Sequence, residues 1–180
     1  MKPSKKQIKN PAPLHLTLTA VLAALIAVFT AYIGHIPLPG NAGYLHFGDA
    51  LIFLAACLLP RPYAMVAAAI GGGLADLLTF PIYTIPTVII KALIIVGFSS
   101  KRLKITDWRN LLALLPAFVI SAVGYFAAQL ILWPGQAAWR GLLFTSFTGS
   151  LIQWGGSAVI FVALGFALDK TKIKKIIGNK

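Results

Sequence analysis

In GYLHFGDALIFLAACLLPRP (Gly43–Pro62) an ionisable Asp49 heads an apolar run that reaches Leu59 before a proline interrupts it. A carboxylate there needs a reason, because the composition around it is that of a membrane protein. Of the 180 residues 58% are hydrophobic and 11% charged, with a mean hydropathy of +0.84, whereas an ordinary soluble domain carries about 25% charged residues. The net charge of +12 does not point to nucleic acid, since the basic residues fall in short clusters between apolar runs. The single cysteine, Cys57, lies inside an apolar run. It excludes an internal disulfide and a thiolate metal cluster and reads as a small buried hydrophobe.

Working outward from Asp49, apolar windows fall at 14–34, 47–60, 62–79, 85–99, 111–133 and 142–168. The second and third are short and are separated only by Arg61 and Pro62. Fused, they would form a run of about 33 residues that overshoots a hydrocarbon core of about 30 Å, so two short helices joined by a tight hairpin are expected. The apolar stretch Leu16–Gly34 is longer than a signal-peptide core and reads as an uncleaved span. With six spans and both termini inside, all 16 basic residues are cytoplasmic except Lys91, within a span, and Arg140, outside. The expected fold is therefore all-α and integral to a bacterial plasma membrane, with six transmembrane helices and cytoplasmic N- and C-termini. It forms a single domain over residues 1–180, with short basic tails at 1–13 and 169–180. Of the outer loops, 35–46, 80–84 and 134–141, only the first is long enough to form a lid.

An ionisable group inside a bilayer costs on the order of 3 kcal/mol, so each is a functional hypothesis by default. Three qualify: Asp49, Asp76 and Lys91, all in the outer half in this topology. They can form a structural charge network or contact a ligand directly, and Lys91, with Thr87 one turn away, is the foremost contact candidate. Around them lie groups able to grip a flat polar molecule: Tyr44, His46, Tyr83, Thr84, Tyr125, Gln129, Trp133, Trp139 and Arg140. Trp133 and Trp139 can equally be interfacial anchors. His46 lacks a second ligand at metal spacing and reads as a loop histidine. In the first span Ala20, Ala24, Ala27 and Ala31 form a smooth stripe for close helix approach, and Gly71, Gly72 and Gly73 suggest tight packing in the third. There is no nucleotide-binding glycine loop, no catalytic motif, no metal motif and no call for a cofactor.

GYLHFGDALIFLAACLL, GGGLADLLTFPIYTIPTVIIKAL and the alanine-striped first helix resemble the substrate-binding S components of energy-coupling factor (ECF) transporters. The resemblance spans about residues 15–170 and is strongest from Gly43 to Leu93. It implies a non-enzymatic, six-helix subunit that binds a vitamin or vitamin precursor from outside. Such a subunit delivers its cargo by toppling when docked to a transmembrane coupling subunit and two cytoplasmic ATPases. It implies that Ala20, Ala24, Ala27 and Ala31 contact the coupling subunit. It also implies that Lys91, Tyr125, Gln129, Trp133 and Trp139 surround the ligand, under a lid at 35–46. The GD, ADL and IIK pattern is closest to members for riboflavin, hydroxymethylpyrimidine or vitamin B6. Pro60, Arg61 and Pro62 replace the glycine-containing turn common in relatives. The competing reading is a self-sufficient ion-coupled transporter using Asp49, Asp76 and Lys91 as a proton relay, against which no internal repeat or pair of interrupted helices is found.

Overall fold

Each of the six apolar windows contains a helix in the computed structural model, which describes residues 12–33, 36–37, 44–133, 139–171 and 173–177. Helix α1 runs Ala12–Ala31, α2 Asp49–Leu58, α3 Arg61–Thr79 and α4 Thr84–Leu93, the last preceded by a 3-10 turn at Pro81–Tyr83. A short α5, Trp108–Leu112, leads into α6, Leu114–Leu132; α7, Trp139–Thr171, and α8, Ile173–Ile176, complete the chain. Two residues on each side, Ile36–Pro37 (β1) and Tyr44–Leu45 (β2), pair antiparallel between α1 and α2. Most of the expected lid, like the loop at 134–138, lies outside the described residues.

The six segments alternate direction between two ends. At one end His15 of α1 packs against Tyr63 of α3, with ring centroids 5.3 Å apart and the planes tilted by 54°. There too Arg61 donates to the Val96 carbonyl at 3.2 Å, and Asp169 of α7 accepts from the backbone N–H groups of Ile105 and Thr106. This end carries Arg61, Lys101, Arg102, Lys104, Arg109, Lys170, Lys174 and Lys175. At the other end Tyr83 meets Trp133, and Ser146 of α7 bonds Gln129 of α6. The hairpin at Pro60 forms as a reversal rather than a kink. Leu59 is extended, Pro60 precedes the helix and Pro62 occupies the first turn of α3, where its missing N–H costs nothing.

Four helical stretches are long and apolar enough to cross a membrane: Ala12–Ala31, Arg61–Thr79, Trp108–Leu132 and Trp139–Thr171. The other two expected spans are shorter than the sequence windows. At 10 residues α2 rises only about 15 Å, and nine of its residues, all but Leu51, are buried. It is the inner helix of the bundle, which explains why its apolar run is nearly continuous instead of one-sided. The 81–93 stretch is likewise short, because the backbone leaves the helix for turns at 94–97.

The glycine triplet sets the spacing of the core helices. A Cβ on Gly71 would stand 2.7 Å from Ile26 Cβ and 2.8 Å from the Ala23 carbonyl of α1. On Gly72 and Gly73 it would meet Lys91 Cγ at 2.8 Å and Val88 Cγ2 at 2.5 Å, both on α4. Thus α3 is wedged between α1 and α4, close enough that no side chain fits.

Candidate functional site

Helix α4 presents Thr87 and Lys91, one turn apart, on its buried face, and Gly72 opposite them leaves room for the lysine stem. Both side chains are 1% exposed. Lys91 Nζ donates to both carboxylate oxygens of Asp49, at 2.7 and 2.9 Å. Asp49 is itself 3% exposed in the first turn of α2. Its Oδ2 also accepts from Gln153 Nε2 of α7 at 3.0 Å. The remaining side of the ammonium faces the Tyr125 ring, 5.4 Å from its centroid. The Thr87 hydroxyl donates to Asp76 Oδ2 of α3 and lies 3.1 Å from the Tyr125 hydroxyl. The three buried charges are thus drawn together. Lys91 binds Asp49 directly, while Asp76 joins through Thr87 instead of competing for the ammonium. Neutralisation with near-complete hydrogen bonding is what makes such burial tolerable.

Next to this polar floor, towards the end of the bundle away from the lysine clusters, is an aromatic group. Tyr83 packs against Phe80, Trp133 and Tyr125, with centroid separations of 5.4, 5.7 and 6.1 Å. Gln129 is buried and its Oε1 accepts from the Ser146 hydroxyl at 2.7 Å. The Tyr83 and Thr84 hydroxyls are buried and make no hydrogen bond among the described residues. Tyrosine, tryptophan and amide groups in this arrangement suit a planar ligand with polar edges.

His46 is buried and its Nδ1 accepts the Gly48 N–H at 3.1 Å, fixing the entry to α2. Gly48 is required there, since a Cβ would lie 2.0 Å from Thr30 Oγ1. Trp139 is 52% exposed and stacks with its neighbour Arg140 rather than with the aromatic group. The alanine stripe divides: Ala20 and Ala24 are exposed, whereas Ala27 and Ala31 are buried. Spaced 4, 3 and 4 residues apart, the four alanines share one face of α1, so the division runs along the helix: the first pair stays exposed and the second is taken up by packing within the bundle. The sequence reading placed the sixth span but missed the polar residues of α7. Ser146, Ser150, Gln153 and Ser157 are all buried, and their spacing of 4, 3 and 4 is a polar stripe at helical period in an otherwise apolar helix. That period was the available signal for Gln153.

A bundle of apolar helices enclosing a fully buried ion pair beneath an aromatic polar cluster is the architecture of a membrane-embedded small-molecule binder, not of a soluble domain. The family described as ECF-type riboflavin transporter, S component, matches residues 12–170, and the chain belongs to that family. A protein of Pyrococcus woesei described as an uncharacterized protein in gap 3'region is 31% identical over 145 residues, covering 78% of this chain and 93% of the relative. The chain is therefore a multi-pass protein of the cell membrane and the substrate-binding subunit of an ECF vitamin importer, a transport component and not an enzyme.

Proposed function

We propose that the vitamin is riboflavin. It would be held between the aromatic group of Tyr83, Tyr125 and Trp133 and the Gln129 amide, with Thr87, Lys91 and His46 beneath them as supports. The observation that carries this reading is the cluster around Tyr83, whose rings offer faces to a planar heterocycle while the Tyr83 and Thr84 hydroxyls, without a hydrogen bond among the described residues, and the Gln129 amide offer bonds to its edge. The family description names riboflavin transporters, which favours a flavin over hydroxymethylpyrimidine or a B6 compound. In this reading Lys91 holds the floor rigid, because Asp49 already takes two of its three protons.

We further propose that α2 and the 81–98 stretch complete six crossings, with both termini on the cytoplasmic side. The alternating direction of the segments and the gathering of basic residues at one end support that orientation. Ala20 and Ala24, exposed on α1, then supply the close contact with the coupling subunit, and the ATPases act through it. The test is binding by the purified chain in detergent, read as quenching of riboflavin fluorescence. One-to-one quenching, uncontested by hydroxymethylpyrimidine or pyridoxine, is expected. Tight binding of either competitor with no response to riboflavin would overturn the substrate assignment.

A further inference from the structure

A second concave site lies at the basic end, remote from the aromatic group. It is a cleft of about 520 Å³ between the Pro60–Pro62 reversal and the 99–109 segment. Arg61, Lys101 and Arg109 stand on its rim with Ser99 and Ser100, and Ala56, Ile95 and Phe98 form its apolar floor. No carboxylate is among its described lining residues. The nearby Asp107 is occupied: it lies 3.7 Å from Arg102 Nε and caps α5 by accepting the Arg109 N–H. Arg61 uses one guanidinium nitrogen on the Val96 carbonyl, and a guanidinium has further donors. Three cations converging on one cleft repel one another unless an anion joins them.

The surroundings say what kind of anion. Leu103, Trp108 and Leu112, beside the cations in sequence, are 75%, 65% and 51% exposed, and such side chains beside lysine and arginine mark the level where acyl chains meet headgroups. A basic pocket between helices at that level, with hydroxyls on the rim and an apolar floor, fits a phosphate-bearing lipid headgroup better than a soluble phosphate. We propose that the cleft is a binding site for one anionic phospholipid, with Arg61, Lys101 and Arg109 around its phosphate. The floor takes the glycerol and the first acyl carbons. A lipid held there pins the α2–α3 reversal to the 99–109 segment.

The experiment is native mass spectrometry of the full chain, released from neutral detergent containing equal amounts of chain-matched phosphatidylglycerol and phosphatidylcholine. The expected result is one phosphatidylglycerol retained in preference to phosphatidylcholine. That preference should fall at least tenfold in the triple variant Arg61→Gln, Lys101→Gln, Arg109→Gln and stay unchanged in Arg140→Gln. Protection of Cys57 from a thiol dye reports that the variants are folded. Equal retention of the two lipids by the unaltered chain would overturn the proposal without recourse to any variant, and so would a preference that survives the triple substitution. Inorganic phosphate alone should neither bind nor displace the lipid at millimolar concentration; displacement would assign the cleft to a soluble phosphate and overturn the lipid reading.

Discussion

Replacing Lys91 by methionine keeps the length of the stem in its slot against Gly72 but removes the ammonium that donates to both oxygens of Asp49. The carboxylate would keep Gln153 Nε2 at 3.0 Å and lose its counter-ion inside a site where both partners are at most 3% exposed. Breaking a buried pair from one side costs about 3–5 kcal/mol, roughly a hundredfold to a few thousandfold in the folded population. Asp49→Asn, which strands the ammonium, should cost as much. The double variant, with no charge left to strand, should recover most of the loss. Cys57 supplies the assay. It is the only cysteine and 0% exposed, so its reaction with a fluorogenic thiol dye during heating follows unfolding of the bundle. Single variants that melt with the parent, or a double variant whose loss is the sum of the two, would refute the claim that this pair is the electrostatic keystone of the interior.

Gly72→Ala should destabilise by about 1–3 kcal/mol, as overpacking does, because the added methyl falls 2.8 Å from Lys91 Cγ and 3.3 Å from Thr87 Cγ2; the same melting assay reads it. Trp133→Ala, which removes the ring packed on Tyr83, should weaken vitamin binding by about tenfold or more, as loss of an aromatic anchor does, whereas Trp139→Ala, half-exposed beside Arg140, should leave the fluorescence titration nearly unchanged. Lys174, in the C-terminal α8, is buried with no hydrogen bond to its ammonium among the described residues, and burial holds its pKa below the ordinary 10.5. The unfolded chain therefore binds that proton more tightly, and its penalty on stability, constant at lower pH, shrinks as pH rises from the folded value towards 10.5. Lys174→Met should accordingly raise the melting temperature at neutral pH, and by less at pH 10.

What could be read from sequence was what the bilayer makes costly. A carboxylate, a second carboxylate and an ammonium in apolar windows are conspicuous, and Asp49, Asp76 and Lys91 do meet, through Lys91–Asp49 and Thr87. The glycine triplet was legible for the same reason, since only close helix contact repays three glycines in a row. Which charge pairs with which was not legible, because it depends on the rotation of α2, α3 and α4 about their axes. Nor could the windows reveal that α2 is an inner helix of 10 residues, since hydropathy does not separate lipid from protein as the apolar neighbour. The split of the alanine stripe has the same cause. Asp49, with which the sequence posed its first question, holds Lys91 and Gln153 in one hydrogen-bonded unit linking α2, α4 and α7.

The central claim is that this chain captures a vitamin but cannot move it alone. The most direct measurement places the purified chain in liposomes and follows internal riboflavin, with and without a transmembrane coupling subunit and its two ATPases. Binding at the outer face in both cases, with accumulation only when the coupling module and ATP are present, is the predicted result. Accumulation driven by a proton gradient in liposomes containing this chain alone would contradict the account.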